Sequence, residues 1–436
     1  MKSNIKNKEL PLIGYSDKFS VSANDVISFK VSSLKNTNVK VVFKRIISSD
    51  PNPNGPGIIE EDLSKQINPM NFTAKHQPFF SGSSVISKKQ LEIKFNKNFI
   101  ISAYFFSTLR KKNNQSILSV GNLNIYISHK NILSCRIGNF IIEGKEIDLK
   151  KWCYVKLKFF KKTNEISLHQ RSEDNFYVTK KPIFLTHKIR GKFLIACNIS
   201  NCIFSDHFNG KIENPKIKIL DNKYFDLIHF DFSKNISSLN IFDMSKYGNH
   251  GKLINHPTRA VTGYKWNGSE MDWKKKPSHY AAIHFHEDDI YDFNWETNFK
   301  LKIPNKFKSG IYVAKIFTKN FTDSIPFIVS ADQKKTKNKL CLVLPSFTYI
   351  VYGNHARPDY CKKWKQKTKN WNGYNYNPAE FPNYGLSTYN FHNDGSGICH
   401  ASHLRPLLNL RPKYITFGST KCSGLRHIQA DTHIIS

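Results

Sequence analysis

Val155-Lys-Leu-Lys-Phe159 alternates apolar and basic residues, the period-two pattern of a strand with one face in a core and the other in water. The same pattern recurs at Ile27, Phe29 and Val31, at Leu91, Ile93 and Phe95, and at Leu123, Ile125 and Ile127. Short half-buried strands with turn residues between them, continuing to about Ser330, predict antiparallel β-sandwiches, two of them. Asp50-Pro-Asn-Pro-Asn-Gly-Pro-Gly57 is too rich in proline and glycine to continue a strand and marks a domain exit.

Asn209-Gly-Lys-Ile-Glu-Asn-Pro-Lys-Ile217 is similar to the closing strands of concanavalin-like or laminin-G-like jelly rolls. The expected fold is therefore multidomain and mainly β, with a jelly roll over 58–225. Residues 1–57 and 280–332 form the two halves of a split immunoglobulin-like sandwich around it, and 226–279 form a connecting β/loop segment. Beyond that lies Lys339-Leu-Cys-Leu-Val-Leu-Pro-Ser-Phe-Thr-Tyr349, in which Cys341 to Leu344 form a continuous apolar run like a strand buried on both faces of a parallel sheet. It opens an expected α/β (parallel-sheet) catalytic domain over 333–436, with helix-compatible segments around Leu404 to Leu410 and Gln429 to Ile435. An open parallel sheet needs more chain than that span offers, so the domain reads as incomplete.

At 436 residues and 50.5 kDa the chain has room for about three domains. Its 66 basic and 33 acidic residues give a net charge of 66 − 33 = +33. Ten of the basic residues are arginine and 56 are lysine, spread along the whole length among abundant Asn, Ile and Phe. A nucleic-acid reader concentrates its charge in a stripe with arginine forks, and neither is present. A solvated lysine surface is the expected reading, with no specific nucleic-acid partner. No apolar stretch approaches the roughly 18 residues of a membrane span, and the start of the chain lacks a signal-type apolar segment. A soluble, cytoplasmic protein without a membrane partner is expected. The eight cysteines, Cys135, Cys153, Cys197, Cys202, Cys341, Cys361, Cys399 and Cys422, form no C-x-x-C pair, and reduced thiols are the expectation.

Several residue groups invite chemistry. Between Tyr349 and Tyr389 there are 7 tyrosines in 41 residues, against 19 in the whole chain. They either gather at a site or fill a loop with buried rings and wet hydroxyls. His284-Phe-His286-Glu-Asp-Asp289 places two histidines at i and i+2 of a strand, on one face, with carboxylates following. The spacing matches no catalytic zinc signature, which leaves a hydrogen-bonded or ion-paired role alongside a metal. His392-Asn-Asp394-Gly-Ser-Gly397 offers a base, a carboxylate and a hydroxyl on a glycine-rich loop, with Gly395 and Gly397 free to adopt positive φ. His392 and Asp394 are the candidate catalytic residues. Ser396 lies outside a G-x-S-x-G elbow, and Cys399 with His400 or His403 would make a cysteine–histidine pair. Arg405 and Arg411, each followed by proline, suit a carboxylate clamp, an intersubunit ion pair or a solvated helix start.

Eight strings taken together resemble the large (β) subunits of N,N-dimethylformamidases. They are Gly14-Tyr-Ser-Asp17, Gly248-Asn-His-Gly-Lys-Leu-Ile-Asn255, Pro257-Thr-Arg-Ala-Val-Thr-Gly263, Ala282-Ile-His-Phe-His-Glu-Asp-Asp289, Trp295-Glu296, Ser309-Gly-Ile-Tyr312, Tyr384-Gly-Leu-Ser-Thr-Tyr389 and Asp394-Gly-Ser-Gly397. The resemblance implies iron-dependent hydrolysis of a small N-substituted formamide to formate and an amine. It implies a mononuclear Fe(III) held by two tyrosine phenolates and a glutamate, with a histidine close by. Carried onto this chain, the phenolates fall on Tyr349 and Tyr389, with Tyr352 competing for the first position. The family's glutamate and histidine belong to a His-Pro-Glu string that is absent here, so this chain is expected to be truncated and inactive alone. A small partner subunit and a homo-oligomer of the heteromer are implied as well. Two other classes remain open at this stage: a carbohydrate-binding or adhesion protein using the jelly roll, and a basic nucleic-acid binder.

Overall fold

The computed structural model describes residues 8–184, 188–201, 203–221, 223–331, 339–417, 423–424 and 428–435. Strand accounts for 43% and helix for 8%, so the protein is mainly β, as its period-two patterning requires. The chain forms two compact units, one of Phe80–Ile290 with His392–Ser396, the other of Met1–Phe79, Tyr291–Phe391 and Gly397–Ser436.

The first unit holds two eight-stranded sheets. In one, Trp152–Phe160 lies between Asn98–Ser107 and Glu165–Arg171, all antiparallel. Gly210–Asp221 pairs with Asn98–Ser107 on one side and with Ala282–Phe285 on the other. Val155, Leu157 and Phe159 point into the core, while Lys156 and Lys158 between them stay partly exposed. The second sheet contributes Leu91, Ile93, Leu123, Ile125 and Ile127 to the same core, so the two sheets share one apolar interior. Fully burying each such side chain is worth about 1.5–3 kcal/mol. Residues 226–279, expected as a connecting β/loop segment, supply strands to both sheets, among them Gly251–Ile254 beside Ser84–Ile93 and Thr258–Val261 beside Ala282–Phe285. Gly210 has a φ of 144°, and a Cβ there would come within 2.1 Å of the Phe106 carbonyl oxygen; only glycine lets the two strands approach at this point.

In the second unit, strands between Leu12 and Ala74 and strands between Phe299 and Val329 share one core that includes Ile27, Phe29, Val31, Phe43, Phe299 and Phe327. One sheet has three strands and the other six, with Gly310–Phe317 between Thr37–Ser49 and Thr322–Val329. The expected domain start at 333 lies outside the described residues. Residues 341–344 are not a strand: they form no regular structure, and Leu342 and Val343 are exposed. An apolar run becomes a doubly buried strand only with neighbours on both edges, and no strand among the described residues pairs with it. A six-residue helix, Ser346–Val351, follows instead. Around Leu404 to Leu410 only the single 3-10 turn Leu408–Leu410 forms, whereas Ile428–Ile435 is helical as expected.

Candidate functional site

Tyr349 lies within the helix Ser346–Val351 and Tyr352 caps its end, so the two occupy neighbouring positions three residues apart on one turn. Tyr349 is buried against Phe19, Leu407 and Leu410, and its hydroxyl donates to the Asp431 carboxylate. Burial first, and then the negative charge of Asp431, push its phenol well above the ordinary tyrosine range. Tyr389, by contrast, is 55% exposed.

The loop that carries Tyr389 is stitched to the end of this helix. Thr388 donates through both its amide and its hydroxyl to the Val351 carbonyl, at 3.2 and 3.1 Å. Asn390 holds Ala356 in both directions, accepting from its amide at 3.0 Å and donating to its carbonyl at 2.8 Å. The rings of Tyr352 and Tyr389 consequently stack 4.1 Å apart and 14° from parallel, with His355 alongside. Behind the loop, the buried Arg405 guanidinium donates to the carbonyls of Tyr384, Leu386 and Ser402, fixing the string that ends in Tyr389. Arg411 is a carboxylate clamp within the chain: it grips both oxygens of Asp323 at 2.9 Å and also donates to the Gly14 carbonyl. Neither arginine is a solvated helix start.

The other candidates converge in the first unit. Ala282–Phe285 and the residues after it present His284 and His286, and the loop His392–Ser396 brings His392, Asp394 and Ser396 to them. Asp394 lies 3.1 Å from His284 Nε2 and 3.6 Å from His286 Nε2. Its carboxylate also accepts from the Thr108 hydroxyl at 2.6 Å and from the Ser396 amide and hydroxyl at 2.9 and 2.6 Å. Burial alone would raise the Asp394 carboxyl, but its bonds with His284, Ser396 and Thr108 outweigh it and hold the group far below the usual range. Burial lowers His284, with Asp394 opposing. For His392 burial also opposes charge, yet Asp288 and Asp289 prevail and raise it.

His286 Nδ1 faces Asp289 Oδ2 at 3.2 Å, and its Nε2 is 2.9 Å from the Ser396 hydroxyl. Serine, histidine and aspartate thus stand in the order of a nucleophilic triad, but the serine hydroxyl has a closer acceptor in Asp394. His392 stacks on His286 at 3.7 Å, with its Nδ1 2.7 Å from Asp288. Glu287 pairs with Lys111 and with Asn393. Of the two glycines expected to allow positive φ, Gly395 does so at 87° and Gly397 does not. Cys399 is exposed with its thiol toward the Gly397 carbonyl, and His403 faces the Asp17 carbonyl, so these two do not pair. Sequence reasoning missed Asp431, Asp323 and Thr108, since none stands near its partner in the chain.

Residues 258–436 match the family model described as N,N-dimethylformamidase beta subunit-like, C-terminal. The N,N-dimethylformamidase beta subunit of Paracoccus aminophilus is 27% identical over 492 residues, an alignment covering 98% of this chain and 63% of the relative. That of Alcaligenes sp is 26% identical over 489 residues with the same coverage, so the chain spans 63% of the length of these curated relatives. Among solved structures, a SAP-like pentraxin from Limulus polyphemus aligns with 42% of this chain and 76% of its own, at 11% identity and a TM-score of 0.25, too slight a likeness to bear on function. Over nearly its whole length the chain is thus similar to N,N-dimethylformamidase beta subunits, and its residues 258–436 match the model of their C-terminal part.

Proposed function

We propose that the protein is the large subunit of an iron-dependent hydrolase that cleaves a small N-substituted formamide into formate and an amine. The observation that carries this reading is the likeness, over 98% of this chain, to N,N-dimethylformamidase beta subunits, with the tyrosine-dense segment lying inside the family-matched region. Being named a beta subunit, the relatives support a partner subunit for this chain too.

Tyr349 and Tyr389 are the proposed phenolate donors, with Tyr352 competing for the first place. The two phenols fit, since anionic oxygens are the hard ligands Fe(III) favours, whereas the glutamate and histidine that the resemblance implies belong to a string absent from this sequence. When bound, a ferric ion supplies Lewis acidity toward a formyl carbonyl or an attacking water. To bind as a phenolate Tyr349 would have to lose its proton, a loss that burial and its hydrogen bond to Asp431 oppose and that a bound cation would favour. Stacking on Tyr352 restrains the otherwise exposed Tyr389 ring. The test is iron loading of the chain, read by iron content and a phenolate-to-metal absorption band, with dimethylformamide hydrolysis as the activity assay. Tyr389→Phe should lose stoichiometric iron and the band; unchanged iron content removes that assignment.

A further inference from the structure

We infer that His284, His286 and Asp394 form a second metal site, for a divalent cation of the zinc class, within the compact unit built on Phe80–Ile290. It is separate from the proposed iron and does not depend on it. The three donors lie within 4.8 Å of one another, two imidazoles and one carboxylate, all largely withdrawn from solvent. An ion bound tetrahedrally at about 2.0–2.2 Å holds its ligand atoms roughly 3.3 Å apart. Asp394 Oδ2 stands 3.1 Å from one histidine nitrogen and 3.6 Å from the other, on either side of that separation.

The outer contacts are those of a built site. His286 turns its Nδ1 to Asp289, which in turn accepts from the Ser83 hydroxyl at 2.5 Å. This carboxylate–histidine arrangement directs the Nε2 lone pair at Asp394. His286 Nε2 lies 3.6 Å from the Asp394 carboxylate and 2.9 Å from the Ser396 hydroxyl, whose proton goes to Asp394 Oδ1, so nitrogen and carboxylate oxygen are both placed to ligate one cation. Asp394 itself is oriented by Thr108 and Ser396. Three carboxylates, of Asp288, Asp289 and Asp394, meet here, and the nearby lysines are directed elsewhere, Lys111 to Glu287 and Lys211 to Thr262. The buried His392 Nε2 lacks a hydrogen-bond partner, its nearest carboxylate oxygen, on Asp289, being 3.6 Å away. A divalent ion there ties the loop His392–Ser396 to a strand 110 residues away in sequence. With Ser396 as a neighbouring hydroxyl and little solvent access, its role is to hold this loop in place.

The experiment uses the full chain, stripped with chelator and titrated with Co²⁺ and with Zn²⁺. One equivalent of Co²⁺ should bind with a ligand-field spectrum of nitrogen and oxygen donors, and Zn²⁺ should displace it. Tyr389→Phe should retain this equivalent, while His286→Asn and Asp394→Asn should lose it with far-ultraviolet circular dichroism unchanged. Should those variants misfold, wild type decides: Zn²⁺ should slow amide exchange at 392–396. Absence of a stoichiometric equivalent, retention of it in both variants, or no protection in wild type overturns the site.

Discussion

Arg411 shows how much a single residue can tie together. Its guanidinium and the Asp323 carboxylate are both 2% exposed, and the pair is bidentate, the geometry that compensates two charges taken out of water. A Cβ on Gly14, whose carbonyl the same arginine reaches, would come within 2.5 Å of Ile325. Arg411→Ala leaves Asp323 buried and unpaired, with an expected loss of about 3–5 kcal/mol by chemical denaturation. Arg411→Lys should recover only part of this, since a lysine cannot make the fork. An arginine beside a proline was legible in the sequence as a clamp, but the clamped carboxylate was not. Asp323 stands 88 residues away, and nothing in its local pattern marks it as a partner.

At the scale of elements, alternation carried nearly all the information. In Trp152–Phe160 every second residue from Cys153 to Phe159 is buried, and the strands on both sides pair along its length. Leu157→Ala should therefore cost about 2–5 kcal/mol, while Lys158→Ala on the opposite face stays within about 0.5 kcal/mol, both read from urea midpoints. A loss at Lys158 equal to that at Leu157 would contradict the facing. The same logic failed at residues 341–344, which have the apolar content of a buried strand. Content alone cannot supply edge partners, and the chain passes through that stretch as exposed coil.

Across the whole molecule, the charge of +33 is borne largely by lysines, several of them in partly exposed ion pairs such as Lys44 with Asp62 and Lys97 with Asp221. Exposed pairs of this kind contribute little to stability, and the excess charge acts at long range instead. Weak binding to a polyanion such as heparin is expected, collapsing as salt rises to physiological ionic strength. Tight binding that persists there would reveal a dedicated anion site. Six cysteines among the described residues stand outside any disulfide, three buried and three exposed, while Cys202 and Cys422 lie outside the described residues.

Alternation at period two and turn-rich breaks were enough to determine a multidomain, mainly β protein, and the ordered strings were enough to show its likeness to dimethylformamidase beta subunits. Those signals are local: each is a relation among residues a few positions apart, dictated by strand geometry. Convergence is not local. That His284 and His286 meet Asp394, that Tyr389 lies on Tyr352, and that the Tyr349 hydroxyl donates to Asp431 depend on which sheet edges and loops pack together. Periodicity records which face of a strand is buried, but it carries no record of what lies across from that face.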